Sequence, residues 1–98
     1  MNQGKLEVIK QEMARVNIDI LGISELKWTG MGDFNSDDHY IYHCAQESLR
    51  RNGVAIIVNE RVQSAVLGCN LKNNRMISVH FQGKTFNITV IQVYTLTS

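Results

Sequence analysis

The chain has no proline, although about one residue in twenty is proline in ordinary domains. It also has no basic segment followed by an apolar stretch near its start, which is the pattern of a secretion signal. No apolar run approaches the roughly 20 residues that a membrane-spanning helix requires. These absences predict a soluble chain that is neither secreted nor inserted in a membrane.

Cysteine and net charge are equally sparse. Cys44 and Cys69 are the two cysteines, and no CxxC spacing joins them, so a disulfide framework is not expected. An intracellular, reducing setting follows, with a nuclear location as one alternative. The formal net charge of +1 creates no overall field, so contact with nucleic acid would need a local basic cluster.

The length of 98 residues with 44% hydrophobic content suits a single domain over 1–98. Leu6, Ile9, Met13 and Val16 form one stripe at helical spacing, which predicts an amphipathic helix over 5–16. The opposite face carries charges of alternating sign, which we interpret as a solvated surface. Its residues are Lys5, Glu7, Lys10, Glu12 and Arg15.

The rest of the chain reads mainly as strands. A nearly continuous aliphatic segment over 17–24 predicts a central strand buried on both faces. The composition of 29–38 is that of a surface loop. Further strands are predicted over 39–44, 53–58 and 62–69, with a hairpin of 75–82 and 84–95 around a turn at Gly83. One helix on mostly antiparallel strands leaves apolar sheet surface uncovered, which predicts self-association through that face.

Two groups of side chains stand at positions where chemistry could occur. Glu25 follows the buried strand, where a carboxylate can bind a hard cation, although a strand-ending or ion-paired glutamate is the alternative. His39 and His43 share one face of their strand near two aspartates, so a transition-metal site is a second interpretation. Histidines in such positions more often face solvent or stack.

Three segments resemble one superfamily. They are IDILGISELK over 18–27, NGVAII over 52–57 and IQVYTLTS over 91–98. Together and in this order they resemble the endonuclease/exonuclease/phosphatase superfamily, most closely the endonuclease of RTE-type LINE retrotransposons, which accompanies a reverse transcriptase. The resemblance implies a partial four-layer α/β/β/α sandwich of the DNase I-like kind. It also implies Mg²⁺-dependent hydrolysis of DNA phosphodiesters, leaving a nick that primes reverse transcription.

The resemblance also assigns roles to four residues. Glu25 matches the glutamate that binds the catalytic metal, and Tyr94 matches a tyrosine whose hydroxyl reaches the scissile phosphate. Lys27 and Trp28 fall where DNA contacts are expected. From the residues alone, Tyr94 would be a core side chain, Lys27 a surface lysine and Trp28 a side chain packed beneath its loop.

The chain also departs from the family pattern. Leu96 replaces a proline, which loosens the loop after Tyr94. The family's metal-site asparagine and its "GDxN" and "SDH" segments have no counterpart here, so the general base is missing, with a loss of about 10²- to 10⁴-fold. We therefore expect an amino-terminal fragment, inactive alone, with weak or absent Mg²⁺ binding. The alternative is a non-enzymatic, retrotransposon-derived α/β protein that acts as an interaction module. A phosphoinositide phosphatase or a nuclease for abasic sites fits less well.

Overall fold

The computed structural model describes residues 3–26, 30–45, 53–73 and 76–93. In chain order they form α1 (Gln3–Arg15), β1 (Ile20–Leu26), β2 (Gly30–Ser36), β3 (His39–Ala45), β4 (Gly53–Asn59), α2 (Glu60–Gln63), β5 (Val66–Asn73), β6 (Met76–Phe81) and β7 (Ile88–Val93). Strands in the order β1-β4-β3-β2 form sheet A, and those in the order β5-β6-β7 form sheet B. All of these pairs are antiparallel. The α/β class with antiparallel strands is thus confirmed.

The predicted helix over 5–16 is found as α1 over Gln3–Arg15, with Leu6 and Met13 fully buried. Val16, the last residue of the predicted stripe, lies beyond the helix and is exposed. The helix ends at a left-handed residue, Asn17, whose φ is 63°. The backbone N–H of Ile18 donates to the Met13 carbonyl at 2.9 Å, and the N–H of Asn17 to that of Ala14 at 3.4 Å. These two hydrogen bonds form a Schellman motif, which satisfies backbone carbonyls that have no partner within the last turn of a helix. None of the described helices is long and apolar enough to cross a membrane.

Two apolar clusters hold three layers together. The cluster between α1 and sheet A consists of Leu6, Met13, Ile41, Ala55 and Ile57. The cluster between the two sheets consists of Tyr42, Cys44, Val54, Ile56, Val58, Ile77, Val79 and Phe81. Since alternate residues of a strand point to opposite faces, β3 and β4 contribute to both clusters. Sheet A is therefore covered on both sides by described elements, and sheet B on one.

The strand predicted over 17–24 is found as β1, which begins at Ile20. The predicted central position was wrong, because among the described strands β1 lies at an edge of sheet A. The strand buried on both faces is instead β4, in which all seven residues are buried. Both segments are rich in β-branched and aliphatic residues, so composition alone could not tell the edge strand from the central one.

The prediction of a loop over 29–38 was also wrong. Strand β2 occupies Gly30–Ser36 and pairs with β3 residue for residue, from Gly30 opposite Ala45 to Ser36 opposite His39. Only Asp37 and Asp38 turn the chain, and Asp37 takes a left-handed φ of 55°. Pairing with a strongly β-forming neighbour overrides the turn-like composition of this segment.

The carboxyl-terminal hairpin is confirmed, because β6 and β7 pair along their whole lengths. Its turn is longer than predicted, since it occupies 82–87. A Cβ atom at Gly83 would overlap the Phe86 carbonyl oxygen, so this tight turn needs glycine. The strand predicted over 62–69 is found later, as β5, and α2 precedes it.

Candidate functional site

Glu25 lies at an irregularity of β1. Ser24 pairs with Val54 and Leu26 pairs with Gly53, so one extra residue stands on β1 between these pairs. An extra residue of this kind forms a β-bulge, which bends a strand and re-aims side chains, and bulges are frequent beside active sites. The side chain of Glu25 lies outside what the structure describes. The backbone nevertheless has a local distortion at the residue singled out from the sequence.

Strand β1 packs against β7 across the two sheets at Gly22. A Cβ atom added to Gly22 would overlap the Oε1 and Cδ atoms of Gln92. The side-chain amide of Gln92 in turn donates to the carbonyl of Val93 at 3.4 Å. Glycine at position 22 therefore lets the strand that contains Glu25 approach the strand that precedes Tyr94.

Strands β1 and β7 also run in the same direction. Ile20, at the start of β1, pairs with Val58 near the end of β4. Ile88, at the start of β7, pairs with Phe81, which pairs in turn with Val66 at the start of β5. Because the short α2 segment connects the end of β4 to the start of β5, both strands begin at the α2 end of the molecule. The bulge at Glu25 and the end of β7 at Val93 accordingly lie at the opposite end.

Three of the four residues assigned by resemblance are not described. Lys27, Trp28 and Tyr94 lie outside the described residues, so their roles stay predictions. Over 3–26, 30–45, 53–73 and 76–93, no group of three or more His, Cys, Asp or Glu side chains could hold a metal ion.

The predicted histidine pair is placed on the face of β3 that α1 covers. His39 is buried, and its Nδ1 lies 2.7 Å from Asp38 Oδ1. The hydrogen bond from His39 lowers the pKa of the Asp38 carboxyl, against a smaller opposing effect of burial. His43 stacks edge-on against Phe34, with ring centroids 5.6 Å apart. In these contacts the ring of His39 forms a local hydrogen bond and that of His43 packs against an aromatic neighbour.

Lys10 is the polar residue that sequence reasoning misplaced, because it is 4% exposed rather than solvated. Its Nζ lies 2.8 Å from Glu7 Oε1, 2.8 Å from Ser36 Oγ and 2.9 Å from Asp37 Oδ2. Burial favours the neutral amine, but these hydrogen bonds and charges outweigh burial and raise the pKa of Lys10. The buried ammonium thus joins α1 to the β2–β3 turn. The residues around Lys10 in sequence did not predict its burial, because the apolar stem of a lysine can pack on a helix surface while its charged end reaches a distant partner.

A second polar group lies between sheet A and β5. The Tyr40 hydroxyl donates to an Asp33 carboxylate oxygen, which raises the pKa of Tyr40 to about 12. The ring of Tyr40 lies 5.2 Å from that of Tyr42, whose hydroxyl accepts from the Gln63 amide at 3.0 Å. Burial raises the pKa of the nearby Cys69 thiol, and Asp33 adds to the effect. A raised pKa lowers the fraction of this thiol that is ionised at neutral pH.

The described residues define an α/β protein in which a helix and two antiparallel sheets form three layers. The chain is similar to two proteins named Craniofacial development protein 2. Over 97 residues it is 77% identical to the protein from Bos taurus. The matched segment covers 99% of this chain and 16% of that protein. It is 76% identical over 97 residues to the one from Tragulus javanicus, covering 99% of this chain and 17% of that protein. The chain thus spans about a sixth of the length of these curated relatives. No protein-family model matches it, and no solved structure matches it significantly.

Proposed function

We propose that this chain is the amino-terminal part of a Mg²⁺-dependent DNA endonuclease domain and does not cut DNA alone. One observation carries the proposal. The bulge at Glu25 and the end of β7 lie at the same end of two strands that pack together through Gly22 and Gln92. The superfamily resemblance implies that the metal glutamate and the strand-end tyrosine lie side by side, each at the end of its own strand.

In this proposal Glu25 supplies an oxygen ligand to Mg²⁺, which prefers carboxylates. When bound, the ion would polarise the phosphate and stabilise the leaving oxygen. The Tyr94 hydroxyl would donate to the phosphate as negative charge develops. Lys27 and Trp28 would contact the DNA backbone and a sugar or base. The chain offers no counterpart of the superfamily's histidine general base, which is why we propose inactivity.

The layer order supports a four-layer parent fold of the DNase I-like kind. Sheet A is covered by α1 on one side and by sheet B on the other. The outer face of sheet B exposes Met76, Ile91 and Val93, at 42%, 55% and 46%. Exposed apolar residues clustered on one face are typical of a surface that another layer or partner covers. A second helical layer there would complete the α/β/β/α order.

Paramagnetic Mn²⁺ in place of Mg²⁺ tests the metal site without relying on activity. We expect Mn²⁺ to broaden backbone NMR signals at the ends of β1 and β7, and the Glu25→Gln substitution to remove that broadening. Glu60→Gln is the matched control, because Glu60 is exposed and begins α2 at the other end of the molecule. Broadening centred on Asp37 and Asp38, or unchanged by Glu25→Gln, would contradict the proposed site.

A nicking assay tests the inactivity. Supercoiled plasmid DNA incubated with Mg²⁺ and the 98-residue chain should stay uncut above background. Nicking that disappears in the Glu25→Gln variant would show that the chain is an active nuclease. Nicking that persists in that variant would point to a contaminant.

A non-enzymatic interaction module is the second candidate function, favoured by the same exposed face of sheet B. Under this proposal the outer face binds a partner, and Glu25 plays no role. Metal-dependent broadening at the end of β1 would favour the nuclease origin over this alternative.

A further inference from the structure

The layer between the two sheets changes character along β1 and β7. Ile20 on β1 and Val90 on β7 both pack against the apolar cluster between the sheets. Two residues further along each strand, on the same face, stand Gly22 and Gln92. The apolar filling thus gives way to a glycine on one strand and a partly buried carboxamide on the other.

Gly22 and Gln92 compete for one space. A Cβ atom at position 22 would overlap Gln92 Oε1 and lie 2.8 Å from Gln92 Cδ. Gly22 stands within regular pairing, opposite Ile56, so no turn requires a glycine there. A glycine inside a strand is typical of a place where another group approaches the backbone closely. The group that does so here is the Gln92 side chain.

This contact stands close to the proposed metal site on both strands. Gly22 comes three residues before Glu25 and its bulge. Gln92 comes two residues before Tyr94, and its Nε2 donates to the carbonyl of Val93 at 3.4 Å. A shift of the two strands at this contact would therefore be passed to the strand ends that the site requires.

The separation of β1 and β7 depends on side chains. The two strands belong to different sheets, so no ladder of backbone hydrogen bonds joins them. Side chains between stacked sheets set the distance, which is about 10 Å in ordinary sandwiches. Because Gly22 contributes no side chain, the filling at this position comes from β7. A smaller residue than glutamine at position 92 would let the two strands move relative to each other.

We propose that Gln92 is a positioning residue of the metal site: its side chain, lying against the backbone at Gly22, sets the distance between the bulge at Glu25 and the end of β7. The inference rests on the proposed function, because it assigns a role within that same site. Gln92 acts through the two strands and touches neither metal nor DNA. Groups that act together must be held to within about 0.5 Å, so the spacing of their strands matters.

A Mn²⁺ titration, followed by paramagnetic broadening of the backbone amides of Ser24, Leu26 and Val93, tests the assignment. Gln92→Ala should raise the Mn²⁺ concentration at half broadening about threefold or more, less than the roughly 10- to 100-fold typical of groups hydrogen-bonded to a metal ligand. Gln92→Met keeps the length of the side chain and should bind within about twofold of the unsubstituted chain. Ile91→Ala is the matched control, because Ile91 is the adjacent residue of β7 and is 55% exposed.

Two conditions separate positioning from a general loss of stability. The titrations are run where amide spectra show every variant fully folded, so that lower stability alone does not move the midpoint. Without metal, nuclear Overhauser effects between Gly22 Hα and β7 should change in Gln92→Ala and stay the same in Ile91→Ala.

The outcomes distinguish this inference from the proposed function. Equal Mn²⁺ binding by the Gln92→Ala and Ile91→Ala chains would overturn the role of Gln92 and leave the metal site standing. A loss in Gln92→Met as large as that in Gln92→Ala would also overturn it, because the length of the side chain would not be what matters. No broadening at the ends of β1 and β7 in the unsubstituted chain would overturn the metal site itself, and the role of Gln92 with it.

Discussion

The two sheets of this protein bury their strands in different ways. In sheet A, β4 is buried at every position, and its residues face α1 and sheet B in turn. In sheet B, β6 alternates, with Ile77, Val79 and Phe81 buried and the residues between them more exposed. The pattern along a strand thus reports how many of its faces are covered. The outer face of sheet B exposes the apolar side chains of Met76, Ile91 and Val93.

The largest difference between the two sheets is expected when one isoleucine in each is replaced by alanine and the free energies of unfolding are compared. Ile56→Ala should lower the free energy of unfolding by about 2–5 kcal/mol, because a fully buried side chain leaves a cavity between the sheets. Ile91→Ala should change it by less than about 0.5 kcal/mol, because Ile91 is 55% exposed. Urea unfolding at a concentration where both proteins are monomeric measures the difference. Equal losses would show that the outer face of sheet B is covered after all.

The attachment of the helix to sheet A is tested at Lys10. Lys10→Met keeps the length of the side chain but removes the ammonium that binds Ser36 and Asp37. We expect a loss of about 1–3 kcal/mol, since the carboxylates of Glu7 and Asp37 stay in contact with water while the Ser36 hydroxyl loses its donor. The exposed Lys84→Met is the control and should change stability by under about 0.5 kcal/mol. A loss no larger at Lys10 than at Lys84 would contradict the buried contact.

The contact between β1 and β7 predicts a smaller effect. Gly22→Ala should cost about 1 kcal/mol, because the added methyl overlaps the Gln92 side chain, which can rotate away at some cost. Gln92→Ala in the same chain should restore most of that loss. A double-mutant cycle by thermal or urea unfolding gives the coupling between the two positions. Additive effects would show that the two strands do not meet at Gly22.

The smallest expected effect concerns pH and Tyr40. Asp33 raises the pKa of Tyr40 from 10.0 to about 12. The folded state therefore holds this proton more tightly than the unfolded chain. The stability that the Tyr40 proton contributes to the folded state is complete below pH 10 and is lost as the pH rises towards 12. The raised pKa of Lys10 also makes stability fall as the pH rises. To separate the effect of Tyr40 from that of Lys10, unfolding midpoints should be compared between the unsubstituted chain and Tyr40→Phe. The substituted chain should lose less stability over this interval.

Local patterns predicted the elements whose signal lies within themselves. The apolar stripe predicted α1, and turn chemistry between two β-rich runs predicted the β6–β7 hairpin. Placement within the sheet was not predictable, because both β1 and β4 are rich in β-branched and aliphatic residues. The burial of Lys10 depends on Ser36 and Asp37, which lie far away in sequence. For the candidate site, Glu25 was singled out by its position after an aliphatic segment and by resemblance, whereas the bulge at that residue had no signal in the sequence.

The strand order of sheet A bears on how the chain folds. Strands β2, β3 and β4 follow one another in sequence and pair as neighbours, whereas β1 pairs with β4 across the whole β2–β3 hairpin. Closing that longer loop costs more chain entropy than forming the hairpin. We therefore expect the β2–β3–β4 meander to form early and the first strand, with its bulge at Glu25, to dock late. The backbone beside the candidate metal site would then be among the first parts of sheet A to detach when the protein opens locally.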